Sequence, residues 1–201
     1  MVVNHETGQI QFKIVYCGTP LGGKTTNLAK IHSFMDETVR GEMISMATSQ
    51  DRTLFFDFLS LETPCFEGYQ TRFQLYTVPG QIYYNATLQL VLRGVDGIVF
   101  VADAQRERLS ENALALQNVE QNLQLMQESL ERIPVVLQYN KRELPNSASA
   151  PELDAAINRR QRPFPRIEAS AIQGFHVLET LNGICQLVLR RHGHDSISPA
   201  A

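Results

Sequence analysis

Gly18-Thr19-Pro20-Leu21-Gly22-Gly23-Lys24-Thr25 sets two glycines five positions apart and follows the second with Lys and a hydroxyl residue. An apolar run, Ile14-Val15-Tyr16-Cys17, enters this segment, and Thr25-Thr26-Asn27-Leu28-Ala29-Lys30-Ile31 leaves it with helical character. Strand, glycine-rich loop and helix in that order form a cradle of backbone N–H groups that converge on an anion. Lys24 then reaches the outer phosphates of a nucleoside triphosphate and the Thr25 hydroxyl ligates Mg²⁺, with Gly18, Leu21, Gly22, Gly23 and Thr26 around the phosphates. The competing reading is a plain glycine-rich turn. The pattern leaves the base and the fate of the phosphate open.

At 201 residues the chain suits one domain with a sizeable core. A formal charge of −3 gives no electrostatic footprint for a nucleic-acid partner. Cys17, Cys65 and Cys185 have no paired spacing for zinc or redox chemistry and read as buried thiols in a reducing cytosol. The first six residues lack the basic and apolar regions of a secretory signal, and no apolar stretch approaches the roughly 20 residues that span a bilayer. Neither a prenylation box nor a myristoylation pattern is present, so a cytoplasmic protein without a lipid anchor is expected, reaching a membrane or cell pole only through partners.

Strands and helices alternate along the chain. Strands are expected over residues 11–17, 53–59, 71–77, 97–102, 133–138 and 165–169, with a short one within 42–48. Helices are expected from the glycine-rich loop to Met35, then over 86–93, 110–130, 151–158 and 175–191. The runs 53–59 and 71–77 read as a hairpin turning within 64–68. Leu116, Val119, Leu123, Met126 and Leu130 form a stripe read as packing on the sheet rather than as a seat for a partner helix. The fold class is α/β: a mainly parallel, doubly wound sheet with one antiparallel edge strand. Residues 1–191 form the domain and 192–201 a frayed tail, where His192 and His194 read as solvated polar residues.

In such sheets ligands sit beyond the carboxyl ends of the strands. The segments found there are the glycine-rich loop, Arg52-Thr53, Thr77-Val78-Pro79-Gly80-Gln81, Asn140-Lys141-Arg142-Glu143 and Ala169-Ser170-Ala171. In this order and spacing they resemble a small Ras-like GTPase. The segments Arg52–Phe58, Tyr76–Gln81 and Leu92–Asp103 are most similar to the bacterial MglA-like GTPases of gliding motility and cell polarity. The resemblance spans roughly Phe12–Arg190, and Thr-Val-Pro-Gly-Gln in place of Asp-x-x-Gly-Gln is a specific mark of it.

The resemblance implies GTP/GDP and Mg²⁺ as ligands. It assigns Thr53 to the Mg²⁺ shell of the triphosphate form, Gly80 to sensing the γ-phosphate, Gln81 to orienting the attacking water, and Arg52 to neutralising charge in cis. Asn140 and Lys141 match the base-recognition motif, and Ser170-Ala171 the last guanine loop, with the Ala171 N–H on the guanine carbonyl oxygen. A Roadblock-type homodimer of the MglB kind as activator, with motility or polarity proteins as effectors of an otherwise monomeric switch, is also implied.

Four residues depart from the family pattern, of which Ile172 stands where many relatives carry Lys. Glu143 stands where an Asp accepts from guanine N1–H and N2–H₂, and its extra methylene displaces the carboxylate by roughly 1.5 Å. Pro20 lies where the loop faces the γ-phosphate and offers no N–H, so slow unassisted hydrolysis is expected. Thr77 replaces the acid that normally holds a Mg²⁺-bound water. Asp57 is costly inside a strand of Leu and Phe unless something binds it, and antiparallel register brings it near Thr77. Asp57 is therefore read as the substitute acid, the competing account being pairing with Arg72 or outward exposure. Tyr83 and Tyr84 are candidate partner contacts, the equal alternative being aromatics that pack their own helix. Other classes considered are a nucleotide-dependent binding module with negligible hydrolysis and a phosphate-loop kinase; the missing arginine-rich lid weakens the kinase.

Overall fold

The computed structural model describes residues 1–47, 55–78 and 85–195. Eight strands form one sheet in the order β3-β4-β5-β2-β6-β7-β8, with β1 paired to β2 off this path. The strands are β1 (Val2–Asn4), β2 (Gln9–Gly18), β3 (Ile44–Ala47), β4 (Phe55–Phe66), β5 (Tyr69–Thr77), β6 (Gly97–Asp103), β7 (Val135–Asn140) and β8 (Arg166–Glu168). From β5 through β8 all neighbours are parallel, and the antiparallel strand β4 lies one place in from the edge because β3 covers it. The helices are α1 (Lys24–Phe34), α2 (Asn85–Leu92), α3 (Leu109–Leu125), α4 (Ala150–Ile157) and α5 (Val177–Asp195).

The central strands β6 and β7 are buried along their whole length, as continuous apolar runs between two helix layers must be. Alternate residues feed opposite faces. Ile98, Phe100 and Ala102 meet α2, α3 and α4 through Leu88, Leu116 and Leu153. Val99 and Val101 meet α1 and α5 through Leu28, Ile31, Leu181 and Val188. A Cβ at Gly97 would fall 2.6 Å from Val188 Cγ2, so this glycine lets α5 lie close on β6. Chain order runs from β2 to β5 on one side and to β6 on the other, which puts the switch point of the sheet at the end of β2.

Four expectations change in detail. α3 stops at Leu125 rather than Leu130, because Gln127 takes a left-handed conformation. Gln127 N–H then donates to Gln124 O and Glu128 N–H to Leu123 O, both at 3.0 Å, the pair of hydrogen bonds that closes a Schellman cap. Leu130 still reaches the core, from the turn that follows. The hairpin turns tightly at Glu67-Gly68, both at positive φ, the two-residue geometry that suits strand twist. α5 runs to Asp195, four residues into the stretch read as a tail, and His192 packs on Phe12 with Nε2 3.3 Å from the Asp96 carboxylate. Cys17 is buried as expected, whereas Cys65 is exposed and Cys185 half-buried.

Candidate nucleotide-binding site

The glycine-rich loop leaves β2 at Gly18, where φ is +133° and a Cβ would sit 2.1 Å from Val101 O of the adjacent strand. Gly23 closes the loop at φ +101°, where a Cβ would meet the Asn140 amide at 2.2 Å. Both positions therefore exclude any side chain. Gly23 is also the N-cap of α1, and the first turn of that helix has neither a side-chain cap nor an acidic residue. Its N–H groups are left to an anion. Lys24 opens the helix, where the macrodipole disfavours a cation, and is buried. Its ammonium donates to Thr19 O at 2.6 Å and Gly18 O at 3.3 Å, and burial pushes its pKa down to about 8. A buried lysine at the positive end of a helix fits an anionic ligand that restores its charge.

Beside it lies a cluster of oxygens. Thr25 Oγ1 donates to Asp57 Oδ2 at 2.6 Å, Thr77 Oγ1 donates to the same oxygen at 2.8 Å, and Ser45 Oγ donates to Asp57 Oδ1 at 2.6 Å. The register that pairs Phe58 with Tyr76 brings Asp57 and Thr77 together, and Asp57 N–H donates to Thr77 Oγ1 at 2.9 Å. The competing pairing with Arg72 does not occur, since Arg72 salt-bridges Glu62 instead. Hydroxyl and carboxylate oxygens of this kind are the hard donors that Mg²⁺ selects, so the residues fit that ion.

The base-recognition segment sits across the loop. Asn140 donates from Nδ2 to Gly22 O at 2.7 Å, and its Oδ1 accepts from Ala171 N–H at 2.8 Å. The Ala171 N–H, expected on the guanine carbonyl oxygen, is thus spent on Asn140, which staples the glycine-rich loop to the last loop. Ser170 is buried and exchanges backbone hydrogen bonds with Phe175, which shapes that loop. Lys141 adopts φ +70° and its ammonium lies 2.6 Å from the buried Asp103 carboxylate. Glu143 Oε2 is buried with no hydrogen-bond partner among the described residues. An orphaned carboxylate oxygen is an acceptor waiting for a donor, which suits the N–H groups of guanine.

Arg52, Thr53, Pro79, Gly80, Gln81, Tyr83 and Tyr84 lie outside the described residues. The sequence reading missed Asp103, although an acid closing the apolar run Gly97–Ala102 is a legible signal.

A phosphate loop at the switch point of a mainly parallel sheet, with an oxygen cluster on one side and an Asn-Lys segment on the other, defines a Ras-like small GTPase. The profile of the ADP-ribosylation factor family matches residues 2–188, and the chain belongs to that family, in its MglA-like branch. It is 46% identical to the mutual gliding-motility protein MglA of Myxococcus xanthus over 187 residues, 93% of this chain and 95% of that protein. It is 27% identical to the human ADP-ribosylation factor-like protein 4D over 124 residues, 59% of each chain. The reaction of such a protein is hydrolysis of GTP to GDP and phosphate. No helix of the described residues is long and apolar enough to cross a membrane.

Proposed function

We propose that this chain is a GTP/GDP switch of cell polarity or gliding motility that hydrolyses GTP slowly until a partner completes its site. The observation that carries this reading is the cluster of Thr25, Asp57 and Thr77 beside the buried Lys24, joined to the likeness to a gliding-motility protein. Lys24 and the N–H groups of the loop hold the β- and γ-phosphates. Thr25 and Thr53 ligate Mg²⁺, with Asp57 in place of Thr77 as the acid that orients its hydration. When bound, Mg²⁺ neutralises charge on the phosphate oxygens.

Gln81 orients the attacking water, Gly80 reports the γ-phosphate, and Arg52 supplies a guanidinium to the charge that develops during transfer. Asn140, Lys141 and Glu143 select guanine, with Ser170 and Ala171 holding the last loop beside them. Pro20 removes a loop N–H opposite the γ-phosphate, which keeps the unassisted rate low. The segments around Arg52-Thr53 and Gly80–Asn85 are those through which the switch distinguishes GTP from GDP. The activator fitting this reading is an MglB-like Roadblock homodimer. Its effectors are motility or polarity proteins that recruit the cytoplasmic monomer to a pole or membrane.

Multiple-turnover phosphate release with and without a Roadblock homodimer tests it. A rate below about 10⁻² s⁻¹ for the pure protein is expected, rising by several powers of ten with the activator. A fast rate in the pure protein contradicts the role given to Pro20. No turnover in either case contradicts the switch and leaves a nucleotide-dependent binding module.

A further inference from the structure

Beneath the nucleotide site lies a polar chain in the middle of the core. Asn27, Gln138 and Thr180 are each fully buried. The two amides pair reciprocally: Asn27 Nδ2 donates to Gln138 Oε1 at 2.8 Å and Gln138 Nε2 donates to Asn27 Oδ1 at 2.9 Å. The second hydrogen of each amide is also used. Asn27 Nδ2 donates to Gly23 O at 2.9 Å, and Gln138 Nε2 donates to Thr180 Oγ1 at 3.0 Å. Thr180 Oγ1 in turn donates to His176 O at 2.8 Å. The chain thus ends on the carbonyls of two residues held at positive φ, Gly23 in the phosphate loop and His176 just after the last loop.

Gln138 and Asn140 are two apart on β7 and so face the same side. The Gly22–Asn140–Ala171 staple and the Gly23–Asn27–Gln138–Thr180–His176 chain therefore form two rungs, one above the other, across the same three elements. The upper rung lies in the site; the lower one meets it only at the Gly23 carbonyl, and Asn27, Gln138 and Thr180 lie beneath it. Buried amides are costly to bring into a core that apolar residues would fill, and fully satisfied networks fix one geometry. A nucleotide held at its phosphates by one element and at its base by two others gains from each contact only if their spacing is fixed beforehand.

We infer that Asn27, Gln138 and Thr180 are positioning residues, a buried rung that sets the spacing between the phosphate-holding and base-holding halves and thereby the residence time of the nucleotide. The inference rests on the nucleotide reading above. Thr180→Val keeps the shape and removes the hydroxyl, whereas Thr180→Ser keeps the hydroxyl and removes a methyl. Release of fluorescent GDP from the full chain with Mg²⁺ is followed on mixing with excess unlabelled GDP, alongside the thermal midpoint of each protein.

Release from T180V is expected to be about tenfold faster, and from T180S within about twofold of the parent, so that retention follows the hydroxyl whatever the midpoints do. Equal release from all three proteins, or equal acceleration in T180S and T180V, overturns the inference. Should T180V not fold, N27L/Q138M replaces both amides by apolar side chains of similar size and leaves neither amide facing a lost partner. About tenfold faster release from that protein supports the rung and unchanged release overturns it. A parent that retains no GDP removes the nucleotide reading and the inference together. A parent that retains it beside variants with unchanged release removes the inference alone.

Discussion

Lys24 is the residue on which the electrostatics of the site turn. Burial lowers its pKa from the ordinary 10.5 to about 8, so above about pH 8 the nucleotide-free protein sheds a proton that a bound phosphate would hold in place. Binding is then coupled to proton uptake, and affinity for GDP falls as pH rises above about 8, towards a limit of about tenfold per pH unit. Titrations between about pH 7 and pH 9.5 check this, and an affinity flat across that range contradicts it. Asp57 is tested through the metal. In Asp57→Asn the slowing of GDP release by Mg²⁺ is expected to weaken by about tenfold, since groups that orient a metal's ligands typically matter at that level. Unchanged Mg²⁺ dependence sinks its assignment as substitute acid. At this scale the glycine-rich loop was legible because Gly, Lys and Thr carry fixed jobs at fixed spacing. Asp57 was legible because a carboxylate among Leu and Phe demands a partner. Asn27 and Gln138 were not, because they meet only when α1 packs on β7, 111 positions apart.

At the scale of elements, the sheet and the five helices follow from apolar periodicity. The boundaries that shifted did so where backbone conformation, not hydrophobic pattern, decides. Gln127 ends α3 in a left-handed conformation that the side chain does not announce, so the period continued past the true end. The strand β1 escaped notice because three residues carry too little pattern, and its pairing with β2 is fixed only in the folded sheet. α5 extends beyond the expected end because His192 finds Phe12 and Asp96, contacts distant in the chain. The close approach of α5 to β6 gives a direct test of this packing. Gly97→Val would drive a side chain into Val188 and Ile184 and is expected to cost about 1–3 kcal/mol, at roughly 2–4 °C of thermal midpoint per kcal/mol. An unchanged midpoint contradicts the packing.

For the whole molecule, three separate stretches of sequence converge at one end of the sheet to make a single site. The phosphate loop follows β2, the oxygen cluster comes from β3, β4 and β5 with Thr25 of α1, and the base segment from the loops after β7 and β8. Convergence at that end follows from topology: the carboxyl ends of the parallel strands point there, and antiparallel β4 brings its amino end, with Asp57, to the same side. Guanine selection is the claim on which the switch depends, and Glu143 in place of the usual Asp puts it under the most strain. The measurement is competition for bound fluorescent GDP by GTP and by ATP under identical Mg²⁺. GTP is predicted to displace the probe at concentrations at least a hundredfold below those ATP requires, the margin of a site whose buried polar groups the wrong base leaves unpaired. Displacement by ATP as effective as that by GTP would contradict the account.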